Sequence, residues 1–138
     1  MRFSNFLLLV LVFSNCKAQN NLETLSIKYE AVTRGSAIEL EASAVQLVYK
    51  DVEVSKIIRP TPSVFWNGIK EIVGKMQMEE IESYKAPTNN RIRDAALHAT
   101  LMITLGDKTY SSQTFDHGNP PEELKSLIDL LFKIISEK

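Results

Sequence analysis

The chain has a single cysteine, Cys16. One thiol cannot close an internal disulfide, so the mature fold has to be held by packing alone. Positive charge is not in surplus. The 16 Lys and Arg residues stand against 17 Asp and Glu, which argues against a phosphate backbone as partner. Nor is there an apolar run near the roughly 20 residues that a membrane-spanning helix needs. Internal repeats and low-complexity tracts are absent. The chain also lacks HxH, HExxH and CxxC spacings, and it has no GxSxG nucleophile motif. It contains only two histidines, His98 and His117.

What is present begins at the N-terminus. Arg2 precedes the unbroken apolar run Phe6 to Phe13. Eight residues are too few to span a bilayer and suit the core of a signal peptide. Cys16-Lys17-Ala18 offers a small-x-small cleavage site, which would release a soluble chain from Gln19. Alternatively, VFSNC resembles a bacterial lipobox, with cleavage before Cys16 and lipid on that residue. Phe13 and Asn15 depart from the pattern, which prefers Leu and a small residue at those positions. The expected layout is a signal peptide over 1–18, a short tether over 19–23 and one domain over 24–138. Without Arg2 and Lys17 the mature segment has 14 basic and 17 acidic residues, a net −3. Its length suffices for one hydrophobic core. Membrane contact is expected only through a lipid on Cys16.

Periodicity then predicts the elements. Leu25, Ile27, Tyr29 and Ala31 alternate with polar residues, the pattern of a half-buried strand. Arg34-Gly35-Ser36 turns the chain into a second strand carrying Ile38 and Leu40. A third strand places Val45, Leu47 and Tyr49 on one side. Residues 51–60 fit either a strand extension or a loop. Thr61 as N-cap and Pro62 as first helical residue open a helix with Phe65, Ile69, Ile72, Val73 and Met76 at helical spacing. Trp66 and the Met76/Met78 pair read as core filling, and Glu79, Glu80 and Glu82 as a solvated face. Leu97 to Leu105 alternates cleanly, Gly106-Asp107 makes a two-residue hairpin turn, and Lys108 to Phe115 returns. Leu124, Leu127, Ile128, Leu131, Ile134 and Ile135 form the stripe of a closing helix. The order β-β-β-α-β-β-α implies a two-layer α+β domain. About five antiparallel strands are expected, or four if 37–50 is one bent strand, with both helices on one face.

The stretch FDHGNPPEEL, Phe115 to Leu124, concentrates the polar chemistry. An uninterrupted hairpin ladder sets His98 opposite Phe115, Leu97 opposite Asp116 and Ala96 opposite His117. Both histidines then lie on the solvent face, and Arg91, Arg93, Asp94, His98, Asp116 and His117 gather at one edge. Three readings compete. Asp94 or Asp116 could pair with Arg91 or Arg93 and tie down loop ends. Two histidines and a carboxylate could form an open metal site. A histidine oriented by an aspartate could act as a general base, with Ser36, Ser111 or Ser112 as hydroxyl. Gly118 to Glu123 reads as the start of a helix, with Pro121 its first residue and Asn119 capping from one position early.

APTNNRIRDAALHATLMI, residues 86–103, and TYSSQTFDHGNPPEELKSLI, residues 109–128, resemble a bacterial family of small exported proteins and lipoproteins. The likeness extends through Thr33-Arg34-Gly35-Ser36 and the Trp66 helix, so it covers most of the mature chain. Its most specific pieces are Ala86-Pro87-Thr88, Arg93-Asp94, His98-Ala99-Thr100 and Phe115 to Pro121. The resemblance implies export and a shared fold, and it implies no activity. The expectation is therefore a non-enzymatic binding module of the cell envelope, taking a protein or small ligand and no cofactor. The alternative is a metal-binding or hydrolytic protein built on His98, Asp116 and His117.

Overall fold

In the computed structural model, the described residues are 22–53, 55–93 and 95–137. A seven-stranded antiparallel sheet and two main helices make an α+β domain, as the periodicities predict. The strands are β1 (Ser26–Thr33), β2 (Ser36–Ser43), β3 (Gln46–Lys50), β4 (Ile57–Pro60), β5 (His98–Leu105), β6 (Lys108–Ser111) and β7 (Phe115–Asp116). The helices are α1 (Ser63–Lys75), between β4 and β5, and α2 (Glu122–Ser136), which closes the chain. Sheet order is β4-β3-β2-β1-β5-β6, with β7 also pairing with β5. Because α1 carries the chain back across the sheet, β5 lands beside β1, in register from Ser26↔Thr104 to Val32↔His98.

Two strands exceed the sequence expectation. β4 forms from the ambiguous stretch before Pro60 and pairs Val48 with Ile58 and Leu47 with Arg59. Its four residues, IIRP, show no alternation, because it is a short edge strand with little of its surface buried. β7 exists because the final strand breaks in two. Val45, expected to face inward, lies between β2 and β3 and is 78% exposed. There Ser43 Oγ accepts from the Val45 and Gln46 amides.

The inward positions follow the alternation. Leu25, Ile27, Tyr29 and Ala31 are buried, as are Leu40, Ala42 and Leu47, and Ala99, Leu101, Ile103 and Leu105. They meet Phe65, Trp66, Ile69 and Val73 of α1 and Leu124, Leu127, Ile128, Leu131 and Ile134 of α2. Met78 and Ile81, in a 3-10 turn at Met78–Ser83, complete this core. Gly68 sits in α1 at a helical cost of about 1 kcal/mol against alanine. A Cβ there would come within 3.3 Å of Leu130 Cδ2, so glycine lets α1 and α2 approach. Arg59 ties the sheet edge to the helix layer. Its guanidinium donates to the carbonyls of Ile134 and Glu137, at the C-terminal end of α2. That position satisfies carbonyls the helix leaves without partners and suits a cation at the negative end of the dipole.

Both helices start one residue later than the sequence suggests. Pro62 and Pro121 occupy the N-cap positions, and neither supplies a side-chain cap. Among the described residues, no helix packs over the other sheet face. That face displays Lys28, Glu30, Glu39, Glu41 and Lys50, flanked by Thr100, Met102 and Thr104. Lys28 pairs with Glu30 at 2.5 Å and lies 3.9 Å from Glu41, and Lys50 lies 3.9 Å from Glu39. These exposed pairs hold the face in order but add little stability. Among the described residues, no helix is long and apolar enough to cross a membrane.

Candidate functional site

A one-residue insertion decides the geometry of the FDHGN stretch. β6 keeps the hairpin register, with Leu105↔Lys108 and Met102↔Ser111, and Gly106 in the turn at φ 60°. β7 does not. There His98 faces Asp116, and Ala99 faces Phe115. The chain gains a residue within 112–114, a β-bulge. Ser112 stabilises it from inside. Its amide donates to Leu101 O at 2.9 Å, while its Oγ accepts from Leu101 N at 3.0 Å and donates to Gln113 O at 2.8 Å. A side-chain oxygen thus replaces the carbonyl that a regular ladder would offer to Leu101.

The shift inverts the expected pairing, because one residue of slip exchanges the two faces of a strand. Phe115 turns inward and is fully buried. His98 stays exposed on the open face, whereas His117 points beneath the helix layer. The two imidazoles therefore sit on opposite sides of the sheet, which corrects the expectation of a shared solvent edge. Leu97 lies opposite His117, whose amide donates to Leu97 O at 3.0 Å.

Asp116 is the centre of what remains. It is 1% exposed, and the loop before β5 wraps its carboxylate. Oδ2 accepts from Thr88 Oγ1 at 2.5 Å and from the Asn90 amide at 2.7 Å. Oδ1 accepts from the Arg91 amide at 3.0 Å and from Arg91 Nη1 at 3.1 Å. Arg91 Nη1 also donates to Thr88 O, and Asn119 Nδ2 donates to Thr88 Oγ1, both at 2.8 Å. A turn through Gly118, at φ 81°, returns the Asn119 amide to Asp116 O at 2.9 Å. Burial alone would raise this carboxyl. The Thr88 hydroxyl, the Arg91 and Asn90 amides and the Arg91 guanidinium outweigh it and hold the group well below the usual carboxylate range.

Four donors fill the acceptor sites of the carboxylate. Asp116 is therefore a fixed anion that organises residues 88–91, and it is poorly suited to bind a metal or take up a proton at neutral pH. His117 is engaged elsewhere. Tyr29 Oη lies 2.7 Å from His117 Nδ1, within an aromatic group completed by Phe115 and Phe132. Burial lowers the imidazole pKa and so favours the neutral ring, in which the Tyr29 Oη–His117 Nδ1 bond runs in the direction the tautomer sets. Burial also raises the Tyr29 phenol, which keeps it protonated.

Of the six residues singled out from the sequence, Arg91 and Asp116 are joined directly. Arg93 is exposed, at the end of the 3-10 turn Asn90–Arg93. Asp94 lies outside the described residues. His98 and His117 are separated by the sheet. Among the described residues, no three His, Cys, Asp or Glu side chains are grouped to hold a metal ion. The sequence reading missed Thr88, Asn90 and Asn119 as partners of the cluster. Asn119, expected to cap α2, bonds Thr88 instead. No family model matches the chain, and no curated protein matches it significantly.

The open face carries the larger feature. A depression of about 470 Å³ lies where β1, β2, β3, β5 and β6 meet, and Lys28, Glu41, Gln46, Met102, Thr104 and Thr109 line it. It combines an ion pair, hydroxyls, an amide and a thioether with the aliphatic groups of Ala42 and Val48, a surface of mixed polarity like that of protein interfaces.

Proposed function

We propose that this is an exported protein of the bacterial cell envelope, anchored by lipid at Cys16 or released after Ala18, and that it works as a binding module without catalytic activity. The N-terminal pattern supports export. The observation that carries the binding reading is that the reactive polar groups are engaged within the domain while the sheet face opposite the helices presents an open depression. The groups chemistry could use are occupied internally, Asp116 by four donors and His117 by Tyr29. The uncovered face holds a broad depression with both polar and apolar lining. A protein or small ligand of the envelope is the occupant this surface suits. The metal alternative needs His98 and His117 on one side of the sheet, and the bulge separates them; the hydrolytic alternative needs an aspartate available to orient a histidine, and Asp116 already accepts from four donors.

Site-specific photo-cross-linking in living cells tests the binding reading. A photoreactive residue at Thr100 or Met102 should give discrete adducts, and one at Lys125, exposed on α2, should not. Equal labelling from both sides, or none from the open face, contradicts it. The intact mass of the protein extracted from membranes distinguishes a lipidated Cys16 from a chain beginning at Gln19.

A further inference from the structure

We propose that the free edge of β6 is a docking site for an extended, basic segment of another polypeptide, which adds a strand to the sheet. Main-chain direction comes first. Leu105 and Lys108 close the hairpin, and the Ser112 amide bonds Leu101 O. Antiparallel parity then turns the N–H and C=O of Lys108, Tyr110 and Ser112 toward β5, and those of Thr109 and Ser111 outward. β6 ends the sheet order, so no further strand meets them among the described residues.

The opposite edge is built differently. The Thr61 amide bonds Val45 O, which sets the parity of β4 and turns Ile58 and Pro60 outward. Pro60 has no N–H to offer, and proline on an edge blunts strand addition. At β6 the two outward positions carry threonine and serine, each with a complete donor and acceptor pair. Strand addition takes its affinity from such main-chain bonds.

Beside this edge runs a groove of about 340 Å³ between β6 and the Met78–Ser83 turn, with Glu79 and Glu82 on its wall and Ser111 and Gln113 along it. Glu80 is exposed on the same turn. Lys108 lies 3.5 Å from Glu79 and offsets one of the three acids. The surplus negative charge selects a segment with lysine or arginine. It also disfavours a second copy of this chain, because pairing β6 with itself would bring two acidic turns together.

The test is selection of a displayed random heptapeptide library on the processed protein, with counter-selection on Ser111→Pro. That variant removes one outward N–H, as Pro60 does at the other edge, and leaves the bonds to β5 in place. A Glu79→Gln/Glu82→Gln variant changes the charge without touching the main chain, so it decides the question even if the proline variant misfolds. Enriched peptides should be rich in β-branched residues and carry Lys or Arg. They should bind the proline variant at least about tenfold more weakly, the loss of about one hydrogen bond, and the double variant about two- to tenfold more weakly, the loss of exposed charge attraction. The amides of Thr109 and Ser111 should gain protection from hydrogen exchange on binding. The idea is overturned by a lack of enrichment over the proline variant, by acidic winners, or by equal binding to the double variant. Concentration-dependent protection of these amides in the free protein also overturns it, because a second copy would then occupy the edge. This edge is separate from the open-face depression, so cross-linking there and selection here fail independently.

Discussion

Replacing Ser112 with alanine removes a single oxygen that two buried or partly buried main-chain groups use. Ser112 is 7% exposed, and its Oγ is the acceptor for Leu101 N at 3.0 Å. Leu101 is fully buried in the central part of the sheet, so water cannot replace that acceptor. The Gln113 carbonyl, on an exposed residue, can turn to solvent, so the cost falls on the Leu101 amide. An unmet buried donor costs about 1–3 kcal/mol. At roughly 2.1 cal/mol/K per residue, unfolding a domain of this length carries about 0.24 kcal/mol/K, so Ser112→Ala should lower Tm by about 4–12 °C. Calorimetry or circular dichroism measures the shift, and urea unfolding should show a lower midpoint with an unchanged slope. Ser112→Thr keeps the oxygen and should recover most of the loss. A drop below about 2 °C for the alanine variant would refute the view that this oxygen stabilises the bulge.

Three further outcomes follow from the same geometry. His117 is neutral when folded, so above its unfolded pKa near 6.5 it adds no pH dependence. Below that value the unfolded chain binds the proton first, and stability falls until pH passes the lower folded pKa. His117→Phe should flatten this slope in denaturation curves taken between pH 5 and pH 8, and an unchanged slope contradicts the assignment. Asp116 works in the opposite range: its folded pKa lies below the unfolded 3.8, so its stabilisation is complete above 3.8 and is lost as pH falls toward the folded value. Asp116→Asn should loosen the 88–91 loop at neutral pH and speed tryptic cleavage after Arg91; unaltered digestion argues against the loop-clamp role. Arg59→Ala should cost about 1–2 kcal/mol and speed hydrogen exchange in the last turn of α2, unless the cap on Ile134 and Glu137 contributes nothing.

The strand and helix pattern was legible wherever one face is buried. Leu97 to Leu105 alternates because every second residue meets the helix layer, and the α2 stripe recurs because six apolar residues share one side. β4 was not legible, since an edge strand with exposed Ile57 and Ile58 has no burial to impose a period. The bulge was missed by assuming that one ladder ran from Lys108 to Phe115. A signal was available. Tyr110 and Phe115 are an odd number of residues apart, so a regular strand cannot place both aromatics on the inner side. An inserted residue solves this, and the polar run Ser111-Ser112-Gln113-Thr114 is where it fits. The pairing of Asp116 with Arg91 was foreseen as one option, because a carboxylate and two arginines approached the same sheet end. Thr88 and the Asn90 amide escaped notice, because loop main-chain donors leave no mark in a periodicity.

The place of β1 in the sheet bears on how the molecule is assembled. The earliest strand among the described residues lies in the middle of the sheet and needs β5 as its second neighbour, with Ser26 opposite Thr104. Its hairpin with β2 can zip early, yet one side of β1 stays bare until His98–Leu105 is at hand. Such distant pairing slows folding. A chain of this topology has a built-in delay, because its sheet cannot close until β5 is available to β1.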